Sequence, residues 1–376
     1  MSVHPFHVFE LERGQSLFEN VVDINLSESG VHPVSVRELA DMGLDLDSLL
    51  DAPLVYIQTN GTPQLREAVA MHYPGASADH IEITNGTAEA NFILPDVLLE
   101  PGDEVLFQVP NYMQVSGIAQ NMGSTVRTFR LRREDGWTPD WDEFERGLTK
   151  KTKLVYVSHP NNPTGAVLSD ADMRRIVAGV ERVGAWLIAD QVYLGAEWNG
   201  TLSKSFWGMS DRVIVTSGLS KAFGIPGARI GWIVGPPAIV AECWARHDYT
   251  TISPGTLSDL VARFAVRPDI RLKLFARGRS FMGTNWNQFK EWANGLGGVL
   301  EFAEPRAGAY AFVRYNGIER SRELCDRIRN EHSVLIVPGE WMGLEHHLRF
   351  GLGGQKEHFA EGLRRITSTI RGLADR

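Results

Sequence analysis

Between residues 81 and 234 the chain carries six short apolar runs: IEIT (81–84), EVLFQ (104–108), LVYVS (154–158), WLIAD (186–190), RVIVT (212–216) and IGWIV (230–234). None alternates as a strand with one wet face does, and none is long enough for a buried helix. Each therefore reads as a strand covered on both sides. Amphipathic segments separate several of them, and one is predicted to start at Ser169, with Asp172 three residues on as its capping partner. Strands and helices in this order imply an α/β class, with a mostly parallel sheet sandwiched by helices. The last quarter reads differently. AYAFVRY (309–315), a helix near 319–331, VLIVP (334–338) and a final helix with Leu363, Ile366 and Ile370 on one stripe describe a smaller α+β lobe. A chain of 376 residues exceeds what one core usually serves. We divide it into an N-terminal segment, 1–45, packing across the lobes, a large domain, 46–275, and a small domain, 276–376.

The charge balance narrows the partners. With 38 basic and 46 acidic residues the net charge is -8, which argues against non-specific nucleic-acid binding. No apolar run approaches bilayer length, so a membrane is not an expected partner, and MSVHPFHVFELERGQ lacks the apolar core of a signal peptide. Two cysteines, Cys243 and Cys325, are too few for a disulfide framework, and a reducing cytosol is expected.

In a doubly wound sheet ligands bind beyond the carboxyl ends of the strands, and this chain concentrates its unusual groups there. NGT (85–87) follows the first run, PNY (110–112) the second and HPNNPTG (159–165) the third. Asp190 closes the fourth, with Tyr193 three residues on. Lys221 follows the fifth, in SGLSKAFGIPGARIGW (217–232). The amides of Gly86 and Thr87 at a helix start cradle an anion, the Thr87 hydroxyl adds a donor, and Arg229 adds a charge-assisted contact. Tyr112 offers a face for an aromatic ring. Asn162 and the Tyr193 hydroxyl suit a phenolate oxygen, and Asp190 needs a cation such as a protonated pyridine nitrogen. Desolvation and neighbouring positive charge favour a neutral amine on Lys221, the form that makes a Schiff base. Phosphate, phenolate, pyridinium and aldehyde together describe pyridoxal phosphate.

VYIQTNGTPQLREAVA (55–70), HPNNPTGAVLS, ADQVY, SKAFGIPGARIGW and LRFGLG (348–353) also appear in the order and spacing of a known family. From about residue 25 onward the chain resembles the class I/II aminotransferases, enzymes of pyridoxal phosphate fold type I. The resemblance implies that Lys221 is the Schiff-base lysine and catalytic base. Asp190 would partner the ring nitrogen, Asn162 and Tyr193 the ring hydroxyl, and Tyr112 the ring face. Gly86, Thr87 and Arg229 would hold the phosphate. It further implies that Arg349 grips the substrate α-carboxylate, and that Tyr56 reaches the phosphate of a neighbouring subunit in a homodimer. One position departs from the pattern. Relatives often carry Ser or Thr three residues before the lysine as a phosphate donor; here Gly218 stands there, leaving Ser217 or Ser220 as candidate replacements.

The opening segment SESGVHPVSVREL (27–39) differs from the loop of most aminotransferases and looks like that of the capreomycidine synthase-like branch, which makes cyclic guanidines from hydroxylated arginine. Glu10, Glu12 and Glu28 lie in the N-terminal segment 9–39 that includes it, and a guanidinium wants carboxylates. Glu10, Glu28, Gly30 and Asn162, together with Arg349, are the expected substrate residues. Glu12, next to Arg13, reads as a solvated face. The expected activity is elimination or cyclisation of an arginine-like amino acid, with conventional amino transfer to a 2-oxo acid as the alternative. EHH (345–347) lacks the spacing of helical zinc ligands, so no metal is expected. GIPGARIG does not lead a strand into a helix, which excludes dinucleotide binding. A transcription regulator on this scaffold would need an added N-terminal module; a cofactor-binding protein without turnover stays open as a second class.

Overall fold

The computed structural model describes residues 6–373. Its large sheet has eight strands in the order 81–84, 231–234, 213–218, 186–190, 152–158, 104–109, 125–132, 138–139. Six of these share one direction; Gly231–Val234 and the edge pair Thr138–Pro139 run against it. The reversed strand Gly231–Val234 is wedged between Ile81–Thr84 and Val213–Gly218. Its entry, at Arg229, therefore falls at the same sheet edge as the exits of both neighbours. The six apolar runs are all strands, every residue of Ile81–Thr84 and Glu104–Val109 being buried. The helix expected at Ser169 spans Asp170–Val183, and Ser169 and Asp172 close a reciprocal capping box.

Thr125–Arg132 is a strand the apolar runs do not reveal. TVRTFRLR buries only Phe129 and Leu131, because the strand lies near the sheet rim beside the two-residue edge. In the small lobe, VLIVP is two short strands rather than one. Val334–Leu335 pairs in parallel with Ile24–Asn25, while Val337–Pro338 joins the antiparallel sheet 300–301, 310–315, 347–351, 337–338. The final helix, Lys356–Arg371, buries Leu363, Ile366 and Ile370 as expected from its stripe.

Two cores organise the lobes, and one helix enters both. Pro268–Asn294 buries Ile270, Leu274 and Phe275 in the large core and Trp286, Phe289 and Ala293 in the small one. The division placed between 275 and 276 thus falls inside a continuous helix. The N-terminal segment ties the lobes together from outside. Helix Glu10–Phe18 packs Leu11 against Val337, Trp341 and Met342, and Ile24 and Leu26 enter the small core. Val34 then donates to the Gly224 carbonyl in the large lobe.

Candidate functional site

At the carboxyl edge of the large sheet lies a cavity of about 350 Å³. Into it face Thr87, Tyr112, Asn162, Asp190, Tyr193, Ser220, Lys221, Arg229, Arg349 and Glu28, each singled out from the sequence. Strand geometry explains the convergence: Thr87, Tyr112, Asn162 and Lys221 each sit within a few residues of a strand exit, and Asp190 is a strand's last residue. Gly30 stands beside them, where a Cβ would come 3.3 Å from the Ser220 carbonyl oxygen and 3.6 Å from Lys221 Cδ.

The anion end is built from backbone. Helix Thr87–Leu98 opens on Gly86, whose φ of 82° is left-handed and whose missing side chain leaves room for Arg229. A Cβ there would lie 2.3 Å from Arg229 Nη2, so only glycine lets the guanidinium approach. The first-turn amides of the helix have no intrahelical acceptor, and Thr87 and Ala88 line the cavity. The Thr87 hydroxyl is committed elsewhere, donating to the Ser217 carbonyl at 3.0 Å. The Gly218 question is answered by space. A Cβ at 218 would come 2.7 Å from Thr87 Oγ1 and 2.9 Å from the Ile230 carbonyl oxygen. Of the two candidate serines, Ser217 turns its hydroxyl to the Gln191 carbonyl, 3.2 Å, whereas Ser220 lines the cavity and accepts from Arg229 at 3.4 Å.

The opposite end is a buried carboxylate. Asp190 is 6% exposed and accepts from the Val192 amide at 3.0 Å, Tyr156 Oη at 2.9 Å and Asn91 Nδ2 at 3.4 Å. Burial pushes its pKa up, and those three donors and the Lys221 charge oppose the shift. Close by, Tyr193 is buried with a hydroxyl that has no partner. Arg349, on strand His347–Gly351, is 1% exposed; burial works against its charge. It donates to Asn162 Oδ1 at 3.0 Å and the Ser27 carbonyl at 2.6 Å, both neutral oxygens, and its Nε has no acceptor. A buried guanidinium so placed lacks an anion. Pyridoxal phosphate fits this set of groups: a cation-lined anion pocket, an orphan hydroxyl donor and a buried acid for a ring nitrogen.

Two expected residues stand outside. Tyr56 is 81% exposed on the far-reaching segment 51–59 and touches nothing in this chain's cavity. Glu10 faces away and pairs with Arg322 at 3.6 Å. In its place the helix turns Glu12 and Gln15 inward, and Glu19 follows at its end. Glu12, read from the sequence as a solvated face, is indeed exposed, and it also accepts from Tyr112 Oη at 2.7 Å. Spacings of three and seven residues from Glu12 place these polar groups on one helix face, a signal present in the sequence. Burial, then the like charges of Glu28 and Glu12, push the Glu19 pKa up. In the EHH run His347 stacks on Phe312, with burial lowering its pKa to about 4.

The sequence profile described as aminotransferase class I and II matches residues 53–366. The capreomycidine synthase of Streptomyces vinaceus is 32% identical over 363 residues, 92% of this chain and 89% of that protein. Among solved structures, a PLP-dependent aminotransferase from Streptococcus suis superposes with a TM-score of 0.90 at 26% identity, covering 98% of this chain and 99% of its own. The PLP-dependent cyclase OrfR superposes with a TM-score of 0.87, also at 26% identity, covering 99% of both chains. No helix among the described residues is long and apolar enough to cross a membrane.

Proposed function

The chain belongs to the class I and II aminotransferase family and is a pyridoxal phosphate enzyme; from that premise we propose that it eliminates a hydroxyl from an arginine-like amino acid, with or without ring closure. One observation carries this reading: Glu12, Glu19 and Glu28 share a cavity with Lys221 and Arg349. Arg349, buried without an anion, suits an α-carboxylate. Burial, and after it the charges of Glu28 and Glu12, raises the Glu19 pKa, and a guanidinium entering among these acids would offset both while donating several hydrogen bonds. Capreomycidine synthase and the OrfR cyclase among the relatives favour the same chemistry.

Bound pyridoxal phosphate supplies an electron sink for charge developing at the substrate Cα. Asp190 would hold a proton on the ring nitrogen, and Tyr193 and Asn162 would donate to the ring oxygen. Tyr112 would cover the ring, while Gly86, Thr87, Ser220 and Arg229 would take the phosphate. Arg349 fixes the substrate so that its Cα–H faces Lys221, whose Nζ takes that proton. Lys221 then gives the proton to the departing hydroxyl, which leaves as water. A guanidine nitrogen held by the N-terminal acids would add to the vacated carbon, and the proton it sheds would pass through Lys221 to Cα as the ring closes.

A homodimer is part of the same proposal. Leu54, Val55 and Tyr56 are exposed beside Trp244, Tyr249, Ile252 and Leu257, and the two segments are joined by Trp244 Nε1 to Thr59 Oγ1 at 2.7 Å and Thr256 Oγ1 to the Val55 carbonyl at 2.7 Å. An apolar patch of this kind suits a second copy, whose cavity Tyr56 would complete. Two free, buried thiols, Cys243 and Cys325, suit a cytosolic setting.

The alternative is conventional amino transfer, favoured by the likeness to the Streptococcus suis aminotransferase. Arginine, 3-hydroxyarginine, 4-hydroxyarginine and canavanine, each assayed with and without 2-oxoglutarate, decide between them. Loss of water or formation of a cyclic product supports the proposal; stoichiometric glutamate with no such product establishes transamination instead.

A further inference from the structure

Behind the anion pocket, on the side away from the cavity, three titratable groups are buried together. His247, the last residue of helix Pro237–His247, is 0% exposed. Its Nδ1 lies 2.8 Å from Glu82 Oε1, and its Nε2 lies 3.3 Å from Glu89 Oε2 and 3.0 Å from Thr251 Oγ1. Glu82 is 0% exposed on strand Ile81–Thr84, and its second oxygen has no partner. Glu89, 8% exposed, accepts from Thr250 at 2.5 Å and Thr251 at 2.7 Å. Its remaining bond leaves the cluster: Glu89 Oε2 accepts the amide of Asn85 at 2.6 Å.

That contact gives the cluster a direction. Asn85 opens the loop whose next residues, Gly86 and Thr87, form the anion pocket. Its amide is held by Glu89, its carbonyl accepts from Arg229 Nη2 at 3.4 Å, and its side chain donates to Thr251 Oγ1 at 2.6 Å. The peptide is clamped on both edges. Three buried ionisable groups are a costly way to fill a core that apolar side chains would fill as well. Burial works against a charge on His247, but the bond to Glu82 and the charges of Glu89 and Glu82 outweigh it and pull the imidazole pKa up. Burial pushes the Glu82 carboxyl up to about 7, so Glu82 and His247 share a proton at 2.8 Å, and the other ring nitrogen, 3.3 Å from Glu89, keeps Glu89 fixed as Glu89 keeps the loop.

We propose that the Glu82–His247–Glu89 chain is a positioning device for the cofactor's phosphate, acting through the Asn85 amide on the loop that receives it. The proposal rests on the assignment of the phosphate to Gly86, Thr87 and Arg229. None of the three residues touches the cavity, so their effect is confined to the anion end.

The test compares two ligands that differ only in that anion. Wild-type apoenzyme and the His247→Gln, Glu82→Gln and Arg229→Gln variants are titrated with pyridoxal phosphate and with pyridoxal, and binding is followed by visible absorbance. Circular dichroism and the thermal midpoint of each apoenzyme identify any variant that fails to fold. Losing a hydrogen bond to a charged group in the clamp is expected to weaken pyridoxal phosphate about tenfold to hundredfold, with pyridoxal changed less than about twofold. Glu82→Gln keeps the shape of the side chain and carries the test if His247→Gln does not fold. Equal weakening of both ligands, or of neither, in both cluster variants overturns the proposal while leaving the phosphate site intact, provided Arg229→Gln selectively loses pyridoxal phosphate. If Arg229→Gln also fails to discriminate, the phosphate assignment falls and the proposal with it.

Discussion

Restoring the residue that relatives often carry at position 218 is expected to harm this protein. Gly218→Ser would add a hydroxyl within reach of the phosphate, and by family analogy it should tighten cofactor binding. The local geometry says otherwise. The new Cβ would stand 2.7 Å from Thr87 Oγ1, 2.9 Å from the Ile230 carbonyl oxygen and 3.0 Å from Gly231 Cα. None of these neighbours yields easily: Thr87 Oγ1 is bonded to the Ser217 carbonyl at 3.0 Å, and the Ile230 carbonyl accepts the Leu219 amide at 2.9 Å. Overpacking of this kind costs about 1–3 kcal/mol. Carried wholly by the Thr87 end of the phosphate loop, that is roughly fivefold to 150-fold in the dissociation constant. Titration of Gly218→Ser and Gly218→Ala apoenzymes with pyridoxal phosphate measures it, and thermal unfolding records any share borne by the fold. Gly227→Ala, where an added Cβ meets nothing within 4 Å, is the control. A Gly218→Ser enzyme that binds the cofactor as tightly as wild type, at an unchanged midpoint, would refute the argument from space.

Replacing Asp190 by Asn removes the charge that holds a proton on the ring nitrogen; kcat is expected to fall about 10²–10³-fold with cofactor still bound, as single-turnover kinetics on the reconstituted enzyme would show. Glu19→Gln and Glu28→Gln should each raise KM for the arginine-like substrate about tenfold or more, whereas Glu10→Gln, paired outside the cavity with Arg322, should leave it within about twofold. Equal effects of all three on KM would remove the acids from substrate recognition. Acid stability supplies a further check. Burial lowers His72, His159 and His347 from 6.5 to about 4. Between those values the unfolded chain takes up protons that the folded one refuses, so stability falls as pH drops from 6.5 toward 4 and is unaffected above that window. For His159, 0% exposed, the effect is about 3 kcal/mol. His159→Gln should flatten the pH dependence of chemical denaturation by up to one proton; an unchanged slope contradicts the buried neutral imidazole.

Much of this site could be read from the chain because its chemistry sits at strand ends. Runs such as IEIT and WLIAD are buried on both faces, which fixes where they stop, and the residue after the stop is where a ligand can be met. Arg229 was legible through its motif, although its place depends on a reversed strand that the apolar pattern does not orient. Thr125–Arg132 escaped because a strand near the rim buries one face and spends the other on charge. Glu12 and Glu19 needed helix register: Glu10, two residues away, points outward, and proximity in sequence could not separate them. Glu82, Glu89 and His247 meet across 165 residues of chain, with no local pattern to announce it. The role the resemblance implies for Tyr56, which is 81% exposed, rests on the proposed second copy.

The acids proposed to meet the substrate side chain lie on one stretch, Glu12 to Glu28, while the groups proposed for the coenzyme are scattered over strand exits from Gly86 to Arg229. On that proposal recognition and reactivity are encoded in different portions of the gene. Exchanging the leading stretch for another would retune the choice of amino acid provided that the contacts it makes with the machinery beneath, Glu12 with Tyr112 and the Ser27 carbonyl with Arg349, are kept.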